Sequence, residues 1–201
     1  MKGKAIPGEM KHVVILGAGG NIAEQVIGIL AKEGDIHLTL FLRNKSRLRN
    51  SEGSLCRIIE GDVLNYGQLR EAIRGQDIVY ANLAGDLEAM AKNIVKAMDG
   101  ERVKRLIFVL SIGMYDVPLK PVLKTYRKAA DVIEASDLEY TILRPAWFTR
   151  ADEVDYETTR KGEPERGSVI SQKSLATLIA TIVRSPEKYV RESLGVNKPH
   201  S

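Results

Sequence analysis

Short runs rich in Val, Ile and Leu alternate along the chain with longer stretches in which apolar residues recur every three or four positions. The first pattern suits strands buried on both faces and the second suits helices with one apolar stripe, so the alternation predicts a mostly parallel sheet flanked by helices. HVVILG at 12–17 predicts the first strand. NIAEQVIGILAKEG then sets Ile22, Val26, Ile29 and Leu30 on one side of a helix, with Gly34 as its expected stop. Strands are expected at 37–43 (HLTLFLR), 57–62 (RIIEGD) and 77–82 (DIVYAN), with a short helix, LNYGQLREAIRG, before the last of these. From residue 86 a helix presents Met90, Ile94, Val95 and Met98 as its inner face. RLIFVLS at 105–111 is the most apolar run and therefore a central strand, followed by a helix over about 121–136 and the strand YTILRP at 140–145. The polar stretch EVDYETTRKGEPERGS reads as a loop and SLATLIATIVRS as a helix, together a C-terminal, substrate-side extension over 146–201. With residues 1–11 as a tail and no repeat or compositional break, the pattern predicts one doubly wound α/β domain over 1–201.

Composition narrows the function. A 44% hydrophobic content with 5% aromatic residues is that of an ordinary globular protein. The formal charge of +4 is mild, and Lys and Arg are scattered among nearly as many acids, so no nucleic-acid partner is expected. The single cysteine, Cys56, excludes an internal disulfide, and His12, His37 and His200 have no ligand cluster around them, so no metal is expected. The start, MKGKAIPGEMKH, lacks the apolar stretch of a signal peptide, and no apolar run approaches the roughly 20 residues that span a bilayer. These features predict a cytoplasmic protein without a membrane partner.

Candidate chemistry begins at LGAGGNIA, residues 16–23, where three glycines fall in four positions between the first strand and the first helix. In a doubly wound sheet, Gly17 there permits a tight turn, while Gly19 and Gly20 let backbone amides approach a ligand without an intervening Cβ. The helix N-terminus then faces an anion, and the pyrophosphate of a dinucleotide is the natural occupant. Sites that prefer NAD carry an acid at the end of the second strand, but here the sequence is Phe41-Leu42-Arg43, followed by Asn44, Lys45, Ser46 and Arg47. Arg43 suits a 2′-phosphate, which a guanidinium grips with two bonds, and Lys45 and Arg47 strengthen the positive field. NADP(H) is therefore expected in preference to NAD(H). Asp62, at the carboxyl end of the third strand, reads either as an acceptor for an adenine amino group or as a capping residue before Leu64. Ser111 reads either as a ligand contact or as a local backbone partner.

The order GAGGNIA, FLRN, GDVLN, ANLAG, FVLSIGMY and SDLEYTILRP resembles the NmrA-like, atypical short-chain dehydrogenase/reductase group of NAD(P)-binding proteins, over about residues 12–196. The resemblance implies a Rossmann fold. It assigns Gly17, Gly20 and the Asn21 and Ile22 amides to the pyrophosphate, Arg43 to the 2′-phosphate, and Asp62 and Val63 to the adenine edge. Asn82, Leu83, Ala84 and Gly85 would line the adenine-ribose and centre of the cofactor. Ser111 would face the nicotinamide, bordered on its far side by Pro145, Ala146 and Trp147.

Classical members of that group place a Tyr four residues before a Lys on one helix, so that the Lys lowers the Tyr pKa for proton transfer. No Tyr here has that Lys: Tyr126 is followed at that spacing by Ala130, Tyr115 by Leu119, Tyr140 by Arg144 and Tyr156 by Arg160. Counted from SDLEYTILRP, Tyr126 stands where the Lys belongs and Val122 where the Tyr belongs. Two functions are compatible with this. One is an NADPH-dependent reductase of a flavin, a quinone-like compound or another small acceptor, with Ser111, Tyr115, Tyr126 or water supplying the proton. The other is an NADP(H)-sensing regulator with a protein partner. Met114, Tyr115, Val117, Pro118, Trp147 and Phe148 are candidates for the wall of an acceptor pocket. The outward faces of the helices at 86–100 and 121–136, with Lys92, Lys96, Lys128 and Glu134, read as solvated, so no dimer is assumed.

Overall fold

The computed structural model describes residues 10–48 and 56–201, so residues 1–9 of the expected tail lie outside the described residues. Strand β1 (Lys11–Leu16) is followed by α1 (Asn21–Leu30), β2 (Ile36–Leu42), β3 (Arg57–Glu60), α2 (Tyr66–Ile73) and β4 (Ile78–Ala81). Then come α3 (Leu87–Glu101), β5 (Arg105–Val109), α4 (Lys124–Glu134) and β6 (Glu139–Pro145). These elements match the alternation in the sequence. Eight strands form one sheet in the order β3-β2-β1-β4-β5-β6-β10-β8, completed by β8 (Glu157–Arg160) and β10 (Glu192–Asn197). Every pair is parallel except β10 with β8.

The continuous apolar runs follow from burial on both faces. In β1, Val13 and Ile15 point into a layer shared with α1 and α5 (Gln172–Arg184), while Val14 and Leu16 point into a layer shared with α2, α3 and α4. In α3, Met90, Ile94 and Met98 are buried as their spacing predicts, and Val95 is partly buried at the edge of the same layer.

Three expectations need correction. Helix α1 stops at Leu30, the last residue of its apolar stripe, and Ala31 N–H bonds Ile27 O; Gly34 lies beyond the helix in an exposed turn. The helix expected from 121 opens with a 3-10 turn at Pro121–Leu123, and α4 proper begins at Lys124. The stretch expected to be a loop contains β8, and a short parallel pair, β7 (Trp147–Thr149) with β9 (Val169–Ser171), flanks it. Strand β10, which was not expected at all, lies inside the main sheet between β6 and β8, so much of the 146–201 segment is built into the fold.

One buried charge ties this region together. Arg105 opens β5 at 4% exposure, and its Nη1 donates to Glu139 O at 2.7 Å and to Leu106 O at 3.1 Å. Its Nη2 donates to Thr141 Oγ1 at 2.8 Å and to Lys188 O at 3.0 Å, joining β5, β6 and the segment that leads into β10. Burial pushes the guanidinium down to about 10, still charged at neutral pH.

Candidate functional site

The glycine turn sits at the carboxyl end of β1. Gly17 adopts φ +85°, and a Cβ there would lie 2.3 Å from the carbonyl oxygen of Asn82, at the end of β4. Gly17 and Ala18 N–H both donate to Phe41 O, at 3.0 and 3.3 Å, locking the turn against β2. A Cβ on Gly19 would come within 3.2 Å of Arg47 Cβ, so Gly19 lets the Arg47 stem lie against the turn. At Gly20 the only atom of the described residues that a Cβ would meet is Gly17 O, at 3.5 Å, which is ordinary contact. The protein's own packing therefore does not demand glycine at that position. Gly20 is the extended N-cap of α1 and offers no side-chain cap, which leaves first-turn amides of α1 facing outward.

Around this turn lies a cleft of about 410 Å³. Gly17, Gly19, Gly20, Asn21 and Ile22 line its centre; Arg43, Asp62 and Val63 line it from the β2 and β3 side, and Asn82, Leu83 and Ala84 from the β4 side. Eleven of the residues expected at a dinucleotide thus share one cavity. Asn44 shapes its basic rim: its Oδ1 accepts from Ser46 N–H at 2.9 Å and Ser46 Oγ at 2.7 Å, capping the 3-10 turn Lys45–Arg47. Arg43 and Arg47 both line the cleft, are exposed, and form no ion pair among the described residues. Lys45 lies outside the lining. Asp62 makes the local bond of its capping reading, Oδ1 accepting from Leu64 N–H at 2.9 Å, and it also lines the cleft.

The remaining candidates lie elsewhere. Gly85, Ser111, Pro145 and Ala146 are outside the cleft lining. Ser111 stands two residues past the end of β5 and donates to Ile112 O at 3.2 Å, its local alternative. Pro145 O accepts from Ile112 N–H and Ala146 N–H bonds Val196 O, so the ends of β5, β6 and β10 are stitched together. Tyr126 occupies the first turn of α4, partly buried, and its hydroxyl has no hydrogen bond among the described residues. Next to it Thr125 Oγ1 accepts from Leu87 N–H at 3.1 Å, anchoring α4 to the loop that carries Asn82, Leu83 and Ala84. Tyr115 is engaged: its hydroxyl donates to Glu134 Oε1 at 2.6 Å and contacts Ser193 Oγ at 3.2 Å. Burial, and then the bond to Glu134, push its phenol well above the ordinary tyrosine value.

Glu134 and Ser193 belong to a second cavity, of about 470 Å³, whose cations are already bound: Lys161 to Glu134, Arg160 to Glu192, and Arg191 to the carbonyls of Ser136 and Leu138. The expected acceptor wall is dispersed. Met114 is core, Val117 and Trp147 are 97% and 79% exposed, and Phe148 lines the cleft around the glycine turn instead.

Sequence reasoning also missed the contributions of Gly61, Met90 and Gln172 to the lining. A Cβ on Gly61 would reach 2.7 Å from the Phe41 ring, a packing constraint with no local signature. Among the described residues no His, Cys, Asp and Glu group could hold a metal, and no helix is long and apolar enough to cross a membrane.

Comparison with known proteins agrees with this geometry. A Rossmann-fold NAD(P)-binding family protein from Shigella flexneri superposes with a TM-score of 0.91 at 50% identity, covering 96% of each chain. A short-chain dehydrogenase/reductase from Veillonella parvula, solved in complex with NADP, gives 0.86 at 28% identity over 94% of this chain and 95% of that one. An isoflavone reductase homolog A622-like protein of Nicotiana tabacum is 29% identical over 157 residues, 70% of this chain and 49% of that protein. The chain spans about half the length of the curated relatives it matches. A family model described as NAD(P)H-binding matches residues 17–186, from the glycine turn to just past α5, and on that match the chain belongs to the NAD(P)H-binding family.

Proposed function

We propose that the protein is an NADPH-dependent reductase acting on a flavin, a quinone-like compound or another small acceptor. One observation carries this reading: two arginines without ion pairs among the described residues, Arg43 and Arg47, rim a cleft whose centre is a glycine turn with outward-facing amides. Free guanidinium groups beside a dinucleotide cleft match the doubly charged 2′-phosphate that separates NADPH from NADH. The bare Cα of Gly20, unexplained by protein packing, fits close approach of the pyrophosphate. The NADP bound to the Veillonella relative and the reductase homologues in Nicotiana support the same reading.

When bound, NADPH supplies a hydride. Arg43 and Arg47 would hold the adenosine end, the α1 amides would hold the phosphates, and the acceptor would draw its proton from water. Such a protein acts in the cytoplasm on a small molecule. Arg43→Ala is expected to weaken NADPH binding by about 1.5–3 kcal/mol while leaving NADH nearly unchanged, measured by fluorescence titration. Equal losses for both cofactors would remove the 2′-phosphate assignment. Tyr126→Phe should keep NADPH oxidation within about threefold of wild type, because no tuned tyrosine is invoked; a loss of about a hundredfold or more would make Tyr126 the proton donor.

The second reading is a sensor that binds NADP(H) without turnover and reports to a protein partner. It is favoured by the missing Tyr-x-x-x-Lys pair and by the engagement of Tyr115 with Glu134. Absorbance at 340 nm, followed with NADPH and then flavin, quinone or dichlorophenolindophenol, separates the two. Steady oxidation supports the reductase, and tight binding with no oxidation by any acceptor supports the sensor.

A further inference from the structure

We propose that Gln172 of α5 binds the bridging phosphates of the dinucleotide beside the first turn of α1, an assignment that rests on the dinucleotide reading of the cleft. Gln172 is the first residue of α5 and the one member of that helix in the cleft lining. Helix α5 packs along α1, and Gln25 of α1 donates from Nε2 to Gln172 Oε1 at 3.2 Å. Gln25 lies one turn beyond Asn21, and helical side chains lean toward the N-terminus, so this bond holds Gln172 beside the first turn of α1. With Oε1 engaged as an acceptor, the amide group of Gln172 keeps two N–H donors for the cleft. No acceptor among the described residues takes them.

The base of this arm is rigid. Ser171, 1% exposed, caps α5 by accepting from Ser174 N–H at 2.9 Å and donates to Glu153 O at 2.8 Å. The two cationic side chains of the lining, Arg43 and Arg47, both follow β2, and the Arg47 stem lies against Gly19 of the turn, so α5 brings its donor to the cleft from a separate element. A neutral donor from α5 adds to the α1 amides without adding charge to the cleft.

The test uses the full chain, with NADPH and 2′-AMP as probes, the latter lacking both bridging phosphates. Gln172→Glu is expected to weaken NADPH about thirtyfold and Gln172→Leu about fivefold, with 2′-AMP unchanged within about twofold for both. Gln172→Lys is expected to bind NADPH about fivefold tighter than wild type, a gain that misfolding cannot produce. Gln25→Leu, which frees Gln172 to rotate, should cost NADPH about threefold and 2′-AMP nothing. Unchanged NADPH affinity in Gln172→Glu, or parallel losses for NADPH and 2′-AMP, overturns the assignment and leaves Gln172 as a packing contact between α1 and α5. The 2′-phosphate reading fails separately: if wild type binds NADH as well as NADPH, the same variants are compared with NADH and adenosine, because the bridging phosphates are common to both cofactors and absent from adenosine.

Discussion

Gly17→Ala is expected to destabilise the fold by about 2–5 kcal/mol and to abolish measurable NADPH binding, the sum of a left-handed backbone penalty and overpacking. The clash is with backbone, which cannot rotate away. A Cβ at Gly17 would sit 2.3 Å from Asn82 O, and Asn82 N–H is itself bonded to Leu16 O at 3.1 Å. Relief therefore requires β1 and β4, neighbours at the centre of the sheet, to part at the end where the cleft opens. Urea unfolding of the variant should show the loss as a lower midpoint with an unchanged slope. Gly20→Ala is the control: its Cβ meets only Gly17 O at 3.5 Å, so it should unfold like wild type while losing cofactor affinity. A wild-type midpoint for Gly17→Ala would show that the turn can open without cost.

The second large effect is expected far from the cleft. Arg105→Leu should lower stability by about 3 kcal/mol, because the leucine removes the donors of the buried acceptors Leu106 O and Thr141 Oγ1 and of the part-buried links to Glu139 O and Lys188 O. Arg105→Lys should recover only part of this, since one ammonium cannot span the two directions covered by the guanidinium fork. Amide exchange would localise the loss. Protection should fall first in the segment after α5 that holds Lys188 and Tyr189, where Tyr189 O accepts from Thr141 Oγ1 at 2.8 Å. A loss below about 1 kcal/mol would mean that water or a neighbouring donor replaces the arginine.

Some of this architecture could be read directly from residue order. The runs that become β1, β4 and β5 are apolar throughout because both faces are covered, and that property survives in sequence without any knowledge of neighbours. The glycine turn was legible for a related reason, since positive φ at Gly17 is a local demand. Strand β8, Glu-Thr-Thr-Arg, was not, because an edge strand with one half-covered face carries no apolar run, and only Thr159 of the four is buried. Strand β10 was hidden by Ser193 and Gly195, the latter required because a Cβ would meet Thr159 Oγ1 at 2.4 Å across the pair. Gln172 and Phe148 entered the cleft through tertiary packing: nothing near either residue in sequence records that α5 lies against α1 or that β7 turns back toward the glycines. Tyr115 shows the converse, a residue of suitable type and order that the fold commits to Glu134 and Ser193.

The position of β10 also sets an order of events as the chain is made. Within the sheet, β8 hydrogen-bonds to β10 alone, yet it leaves the ribosome first, and roughly 35 residues separate the paired positions Arg160 and Leu194. At about 5–20 residues per second, β8 and the open side of β6 wait several seconds for the strand that joins them. During that interval the nascent chain presents an unpaired central edge, from Thr141 to Pro145, to any other extended segment within reach. The half that carries the glycine turn and both rim arginines needs no such wait, since β1, β2, β3 and β4 pair with one another before β8 is made.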